Sequence, residues 1–87
     1  MTWQVYILRC GDGTLYTGVT NDLSVRLERH RSGRGAAYTR GRLPLCLVYA
    51  EVGFDDRGSA LKREAALKRL PRLEKLKLIG SDAQSDP

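Results

Sequence analysis

Gln4-Val5-Tyr6-Ile7-Leu8 and Leu15-Tyr16-Thr17-Gly18-Val19 are two short tyrosine-bearing segments on either side of Gly11-Asp12-Gly13. Trp3 to Arg9 is rich in aromatic and β-branched residues, which favour a pleated, partly buried strand. The glycines and Asp12 between the segments signal a tight turn, so the first twenty residues read as a β-hairpin. Asn21 and Asp22 are both good helix N-caps, and Leu23 to Arg31 reads as a helix with Leu23 and Leu27 turned inward.

Ser32-Gly33-Arg34-Gly35 ends that helix, and residues 32–42 read as a long Gly- and Arg-rich loop around Tyr38 and Thr39. Loops of this length in small domains commonly carry function. Leu43 to Val52 reads as a third strand, buried for most of its length. Asp55 or Asp56 can cap a helix running to about Leu70, where Pro71 breaks it, and Pro71 to Ile79 reads as a short final helix. The order ββαβαα implies an α+β fold, with a three-stranded antiparallel sheet flanked by helices. Residues 1–79 form the expected domain, and residues 80–87, without large apolar side chains, read as a disordered tail.

The 87 residues suffice for one domain with one modest core. Hydrophobic residues make up 41% and charged residues 29%, the balance of a soluble globular protein. No apolar run approaches the roughly 20 residues of a membrane span, and no signal peptide is read, so a cytoplasmic location and no membrane partner are expected. Cys10 and Cys46 lack metal-ligand spacing and read as buried structural thiols.

The net charge of +5 is unevenly placed. Six basic residues against one acid lie between Arg26 and Arg42, and eight against Glu64 and Glu74 lie between Arg57 and Lys77. A polyanionic partner is the natural reading, and solvated helix faces are the plainer one.

Arg26 and His30, four apart, share one face of their helix and lie beside its inward stripe. A guanidinium grips phosphate bidentately, and an imidazole moves protons near neutral pH. Alternatively, Arg26 pairs with a carboxylate and His30 fills a helix edge. Glu64 falls within the apolar arc of Ala60, Leu61, Ala65 and Leu67. A carboxylate there needs a partner, either a metal or the nearby Lys68. Tyr6 and Tyr16 sit mid-strand, where most tyrosines are packing residues. A phenol is a poor base unless cations lower its pKa, and Arg26 and a metal would do so.

Together these residues resemble the GIY-YIG nuclease superfamily, in particular its small single-domain bacterial members. Val5-Tyr6-Ile7 stands at the first signature and Tyr16-Thr17-Gly18 at the second. The stretch Gly18 to His30 is similar to the superfamily's helix with its Arg-x3-His pair, and Glu64 to its metal-binding glutamate. The resemblance covers residues 3–79 and implies a metal-dependent endonuclease acting on DNA, with RNA also open, in repair or recombination. It implies catalytic roles for Tyr6 as general base, Tyr16 orienting water or phosphate, Arg26 stabilising phosphorane-like charge, and His30 assisting proton transfer or positioning Tyr6. Glu64 would hold Mg²⁺ or Mn²⁺. Arg34, Tyr38, Arg40 and Arg42 are the expected nucleic-acid contacts, and the protein is expected to be a monomer or weak homodimer. A second reading is a non-catalytic nucleic-acid-binding domain that keeps this fold. It draws on the absence of any asparagine after Glu64, where many superfamily members carry one.

Overall fold

In the computed structural model, which describes residues 2–83, three strands and four helices follow one another as β1 (Trp3–Arg9), β2 (Leu15–Thr20), α1 (Leu23–Arg31), α2 (Ala37–Arg40), β3 (Cys46–Phe54), α3 (Arg57–Arg69) and α4 (Arg72–Ala83). The sheet is antiparallel with order β2-β1-β3. This is the α+β architecture expected from the sequence, with β1, β2 and α1 at the expected boundaries. No helix among the described residues is long and apolar enough to cross a membrane.

The central strand decides the rest. Val5, Tyr6, Ile7 and Leu8 are all buried, without the polar alternation of a strand that has one wet face. Helices cover both faces instead. On one, Tyr6, Leu8, Cys10 and Leu45 pack with Leu23 and Leu27 of α1. On the other, Val5 packs with Ala60 and Leu67 of α3, and Leu78 of α4 joins them. Full burial of each large apolar side chain contributes roughly 1.5–3 kcal/mol.

Capping sets the helix that carries Arg26 and His30. Asp22 accepts a hydrogen bond from the Val25 amide at 3.2 Å. At the far end, Gly33 N–H donates to His30 O and Arg34 N–H to Arg29 O, the paired bonds of a Schellman ending. Asp56 caps α3 by accepting from the Ser59 amide at 2.7 Å.

Five expectations need correction. The third strand runs from Cys46 to Phe54 rather than from Leu43 to Val52. Pro44 has no N–H for a ladder, and pairing persists until Phe54 meets Trp3. As a sheet edge, β3 is only partly covered, with Val52 71% exposed, so it is not a buried strand. Cys10 is buried, but Cys46, at the start of that edge and opposite exposed Arg9, is exposed. The segment 32–42 is not all loop, since Ala37–Arg40 forms a helical turn. Finally, α4 continues past Ile79 to Ala83, into the stretch expected to be a disordered tail. Residues 84–87 of that tail lie outside the described residues.

Candidate active site

Register places the two tyrosines on one face. Tyr6 pairs with Gly18 and Leu8 with Tyr16, so Tyr6 and Tyr16 are diagonal neighbours across β1 and β2. Their ring centroids are 6.4 Å apart. The Tyr6 ring reaches across Gly18, where an added Cβ would come 2.5 Å from the phenolic oxygen. Glycine at 18 therefore lets the Tyr6 hydroxyl reach the edge of the sheet. There α3 comes past β2 from the opposite face and brings Glu64.

The result is an open cleft of about 340 Å³ lined by Tyr6, Tyr16, Arg26 and Glu64. Four of the five catalytic candidates thus meet in one place. The fifth, His30, lies behind Tyr6 rather than in the cleft. It is 1% exposed, and its Nε2 is 2.9 Å from Tyr6 Oη. Its Nδ1 is 2.9 Å from Thr39 Oγ1. Tyr16 meets the His30 ring edge-on at 5.4 Å between centroids.

Burial dominates the electrostatics. It pushes the Tyr6 phenol well above the ordinary range, helped by Tyr16 and Glu64 and opposed by the Arg26 guanidinium. The expected lowering by Arg26 is present in direction, but Arg26 alone does not bring the phenol below its ordinary value. Desolvation and negative neighbours outweigh it. Burial, and then Arg26, push His30 below the usual imidazole value of 6.5. At neutral pH both groups are uncharged, a phenol hydrogen-bonded to an imidazole.

Glu64 lies between buried Ala60 and Leu67 with its side chain 18% exposed. Leu61, expected within the apolar arc, is instead half-exposed at the cleft wall. Lys68 approaches Glu64 at 3.5 Å as an i,i+4 pair with an exposed ammonium. Such pairs contribute little, about 0.3–0.5 kcal/mol, and do not compete strongly for the carboxylate. No group of three or more His, Cys, Asp or Glu gathers anywhere among the described residues. Glu64 is thus the one carboxylate, a hard oxygen donor, among the residues lining the polar cleft. That donor set fits Mg²⁺ or Mn²⁺ completed by water and phosphate oxygens, and it does not fit a closed all-protein metal cage.

The expected nucleic-acid contacts divide. Arg34 and Arg40 are exposed. Tyr38 stacks on Tyr16 at 5.9 Å, with the Arg42 guanidinium 4.0 Å over its ring. Arg42 also donates to Asp12 Oδ2 at 3.0 Å and to Tyr38 O at 2.7 Å. Tyr38 and Arg42 therefore brace the Tyr16 wall of the cleft.

Three residues at the site are not singled out by the sequence. Asn21 lines the cleft while its neighbour Asp22 does the capping, and Arg57 lines it from the start of α3. Neither can be told apart from a cap or a basic run. Thr39, fully buried against His30, reads from the sequence only as part of a loop.

A profile of the GIY-YIG catalytic domain matches residues 2–77. A UPF0213 protein from Oceanobacillus iheyensis is 53% identical over 75 residues, covering 86% of each chain. Another, from Nitratidesulfovibrio vulgaris, is 51% identical and covers 93% of this chain and 76% of its own. Among solved structures, the solution NMR structure of a UPF0213 protein from Bacillus halodurans has 44% identity and a TM-score of 0.58, covering 92% of this chain and 84% of its own. The solution NMR structure of an E. faecalis protein has 38% identity and a TM-score of 0.59, covering 90% and 83%.

Proposed function

The chain belongs to the GIY-YIG catalytic-domain family, among the small bacterial UPF0213 proteins, and from that premise we propose that it is a metal-dependent endonuclease hydrolysing DNA phosphodiesters. The family is a nuclease family and its substrate is nucleic acid. The observation that carries the finer reading is the meeting of Tyr6, Tyr16, Arg26 and Glu64 around one cleft, with His30 hydrogen-bonded behind Tyr6.

The scissile phosphate lies against Arg26, whose fork binds its oxygens and stabilises the charge that builds up in the transition state. Tyr16 hydrogen-bonds the phosphate or the attacking water. Tyr6 takes a proton from that water as its own hydroxyl proton passes to His30 Nε2. The phenol ends neutral and the imidazole positively charged. The water oxygen bonds to phosphorus while the P–O bond to the leaving alkoxide breaks, and solvent protonates that alkoxide. The relay avoids a free tyrosinate, which burial of Tyr6 disfavours. Glu64 would hold the divalent cation, which would supply Lewis-acid stabilisation of the charge that develops on the phosphate oxygens.

Arg34 and Arg40, both exposed, are the cations that would follow the nucleic-acid backbone. A role in repair or recombination draws only on the resemblance to other superfamily members. The competing reading is a domain that binds nucleic acid without cutting it, favoured by the lack of asparagine after Glu64. One assay separates them: labelled single-stranded, duplex and branched DNAs at low salt with Mg²⁺, Mn²⁺ or EDTA. Metal-dependent cutting supports the nuclease. Salt-sensitive binding with no cutting supports the binding domain.

A further inference from the structure

Thr39 is fully buried, although it belongs to a segment dominated by glycine and arginine. Its hydroxyl has two close neighbours, the Ala36 carbonyl oxygen at 3.0 Å and His30 Nδ1 at 2.9 Å. A peptide oxygen can only accept, so a Thr39 hydroxyl that bonds the Ala36 carbonyl, which also accepts from the Thr39 and Arg40 amides at 3.0 and 3.1 Å, uses its proton there. The lone pair of Thr39 Oγ1 then faces Nδ1, which must carry the ring hydrogen. Gly35 allows this close approach, since a Cβ there would collide with His30 Nδ1.

We propose that Thr39 is a positioning residue that holds His30 as its Nδ1–H tautomer and so aims a bare Nε2 at the Tyr6 hydroxyl. The opposite tautomer would point an N–H at Tyr6 and could not receive its proton. The hydrogen-bond chain therefore has one sense: Tyr6 Oη–H to His30 Nε2, His30 Nδ1–H to Thr39 Oγ1, Thr39 Oγ1–H to Ala36 O. The backbone carbonyl at its end gives the chain a fixed acceptor, since it cannot turn into a donor. The catalytic consequence rests on the nuclease reading above, whereas the tautomer assignment does not.

His30 is the only histidine, so its ring nitrogens can be read without ambiguity by long-range ¹H–¹⁵N correlation NMR on uniformly labelled protein. The spectrum is recorded at pH 8 for the wild type, Thr39→Val and Thr39→Ser. The wild type and Thr39→Ser should show the Nδ1–H form. Thr39→Val keeps the shape without the hydroxyl and should lose that preference, with cleavage slowed about 10²-fold, the lower range of a general acid–base contribution. Thr39→Ser should retain cleavage. A wild-type ring protonated at Nε2 would overturn the assignment whether or not Thr39→Val folds. So would a folded Thr39→Val with the wild-type spectrum. A wild type that shows Nδ1–H but cuts no nucleic acid would instead overturn the nuclease reading and the relay built on it.

Discussion

Tyr6 Oη and His30 Nε2 lie 2.9 Å apart in the interior, although the residues are 24 positions apart in the chain. One comes from the central strand and the other from the helix packed on that face. The bond joins the cleft to a buried proton acceptor, which an exposed histidine would not provide. Desolvation raises the phenol and lowers the imidazole, so the pair stays neutral until a reacting water supplies a proton.

Tyr6→Phe removes the atom that takes the proton while keeping the ring in the core. Single-turnover cleavage should fall by about 10²–10⁴-fold. Losing a buried partner of His30 should also cost about 1–3 kcal/mol of stability, read by urea unfolding. Gly18→Ala tests the same atom from outside, since its methyl must displace the Tyr6 hydroxyl. It should lower cleavage strongly and cost about 1–3 kcal/mol, the range for an overpacked site.

Arg26→Gln removes the phosphate fork and should slow cleavage about 10²-fold or more. It should also raise the His30 pKa, because Arg26 is one of the two influences holding that value down. NMR titration of the single imidazole gives a second readout, which reports the loss of the Arg26 charge directly.

Stability should fall in mild acid. In the unfolded chain His30 titrates near 6.5, and in the folded chain it titrates lower. Above 6.5 both states are neutral and the pair contributes fully. As pH falls below 6.5, the unfolded state binds the proton first, so the contribution is lost toward the lower folded value. Urea midpoints should therefore drop between pH 7.5 and 5.5, and less so in His30→Gln.

Arg34→Ala with Arg40→Ala should weaken DNA binding about equally for all sequences, because exposed arginines touch phosphates rather than bases. The slope of log affinity against log salt should shrink by about 0.9 for each phosphate that is no longer neutralised. Arg42→Ala should behave differently, since it frees Asp12 and uncovers Tyr38. It should loosen the Tyr16 wall and lower the cleavage rate more than the salt slope.

Local periodicity carries much of the fold and site in plain view. Strand alternation puts Tyr6 and Tyr16 on one face, and the helical repeat puts Arg26 and His30 side by side. Glu64 stands out as a carboxylate among apolar neighbours. What depends on tertiary approach is not legible in this way. The burial of His30 behind Tyr6 requires α1 and the 32–42 segment to close over it, and Thr39 acquires a role only through that closure. Asn21 looks like a cap, and Arg57 looks like one more cation in a basic run. The edge position of β3 is also invisible in its apolar composition, which is why Val52 and Cys46 are exposed contrary to expectation.

The most direct test compares wild type with Glu64→Ala on whichever labelled DNA the wild type cuts, at fixed low salt over a Mg²⁺ titration. The account predicts that the wild-type rate rises and saturates with Mg²⁺, and that Glu64→Ala loses this response while still binding DNA and keeping its fold by circular dichroism. A folded Glu64→Ala variant that cuts with the wild-type Mg²⁺ dependence would contradict it.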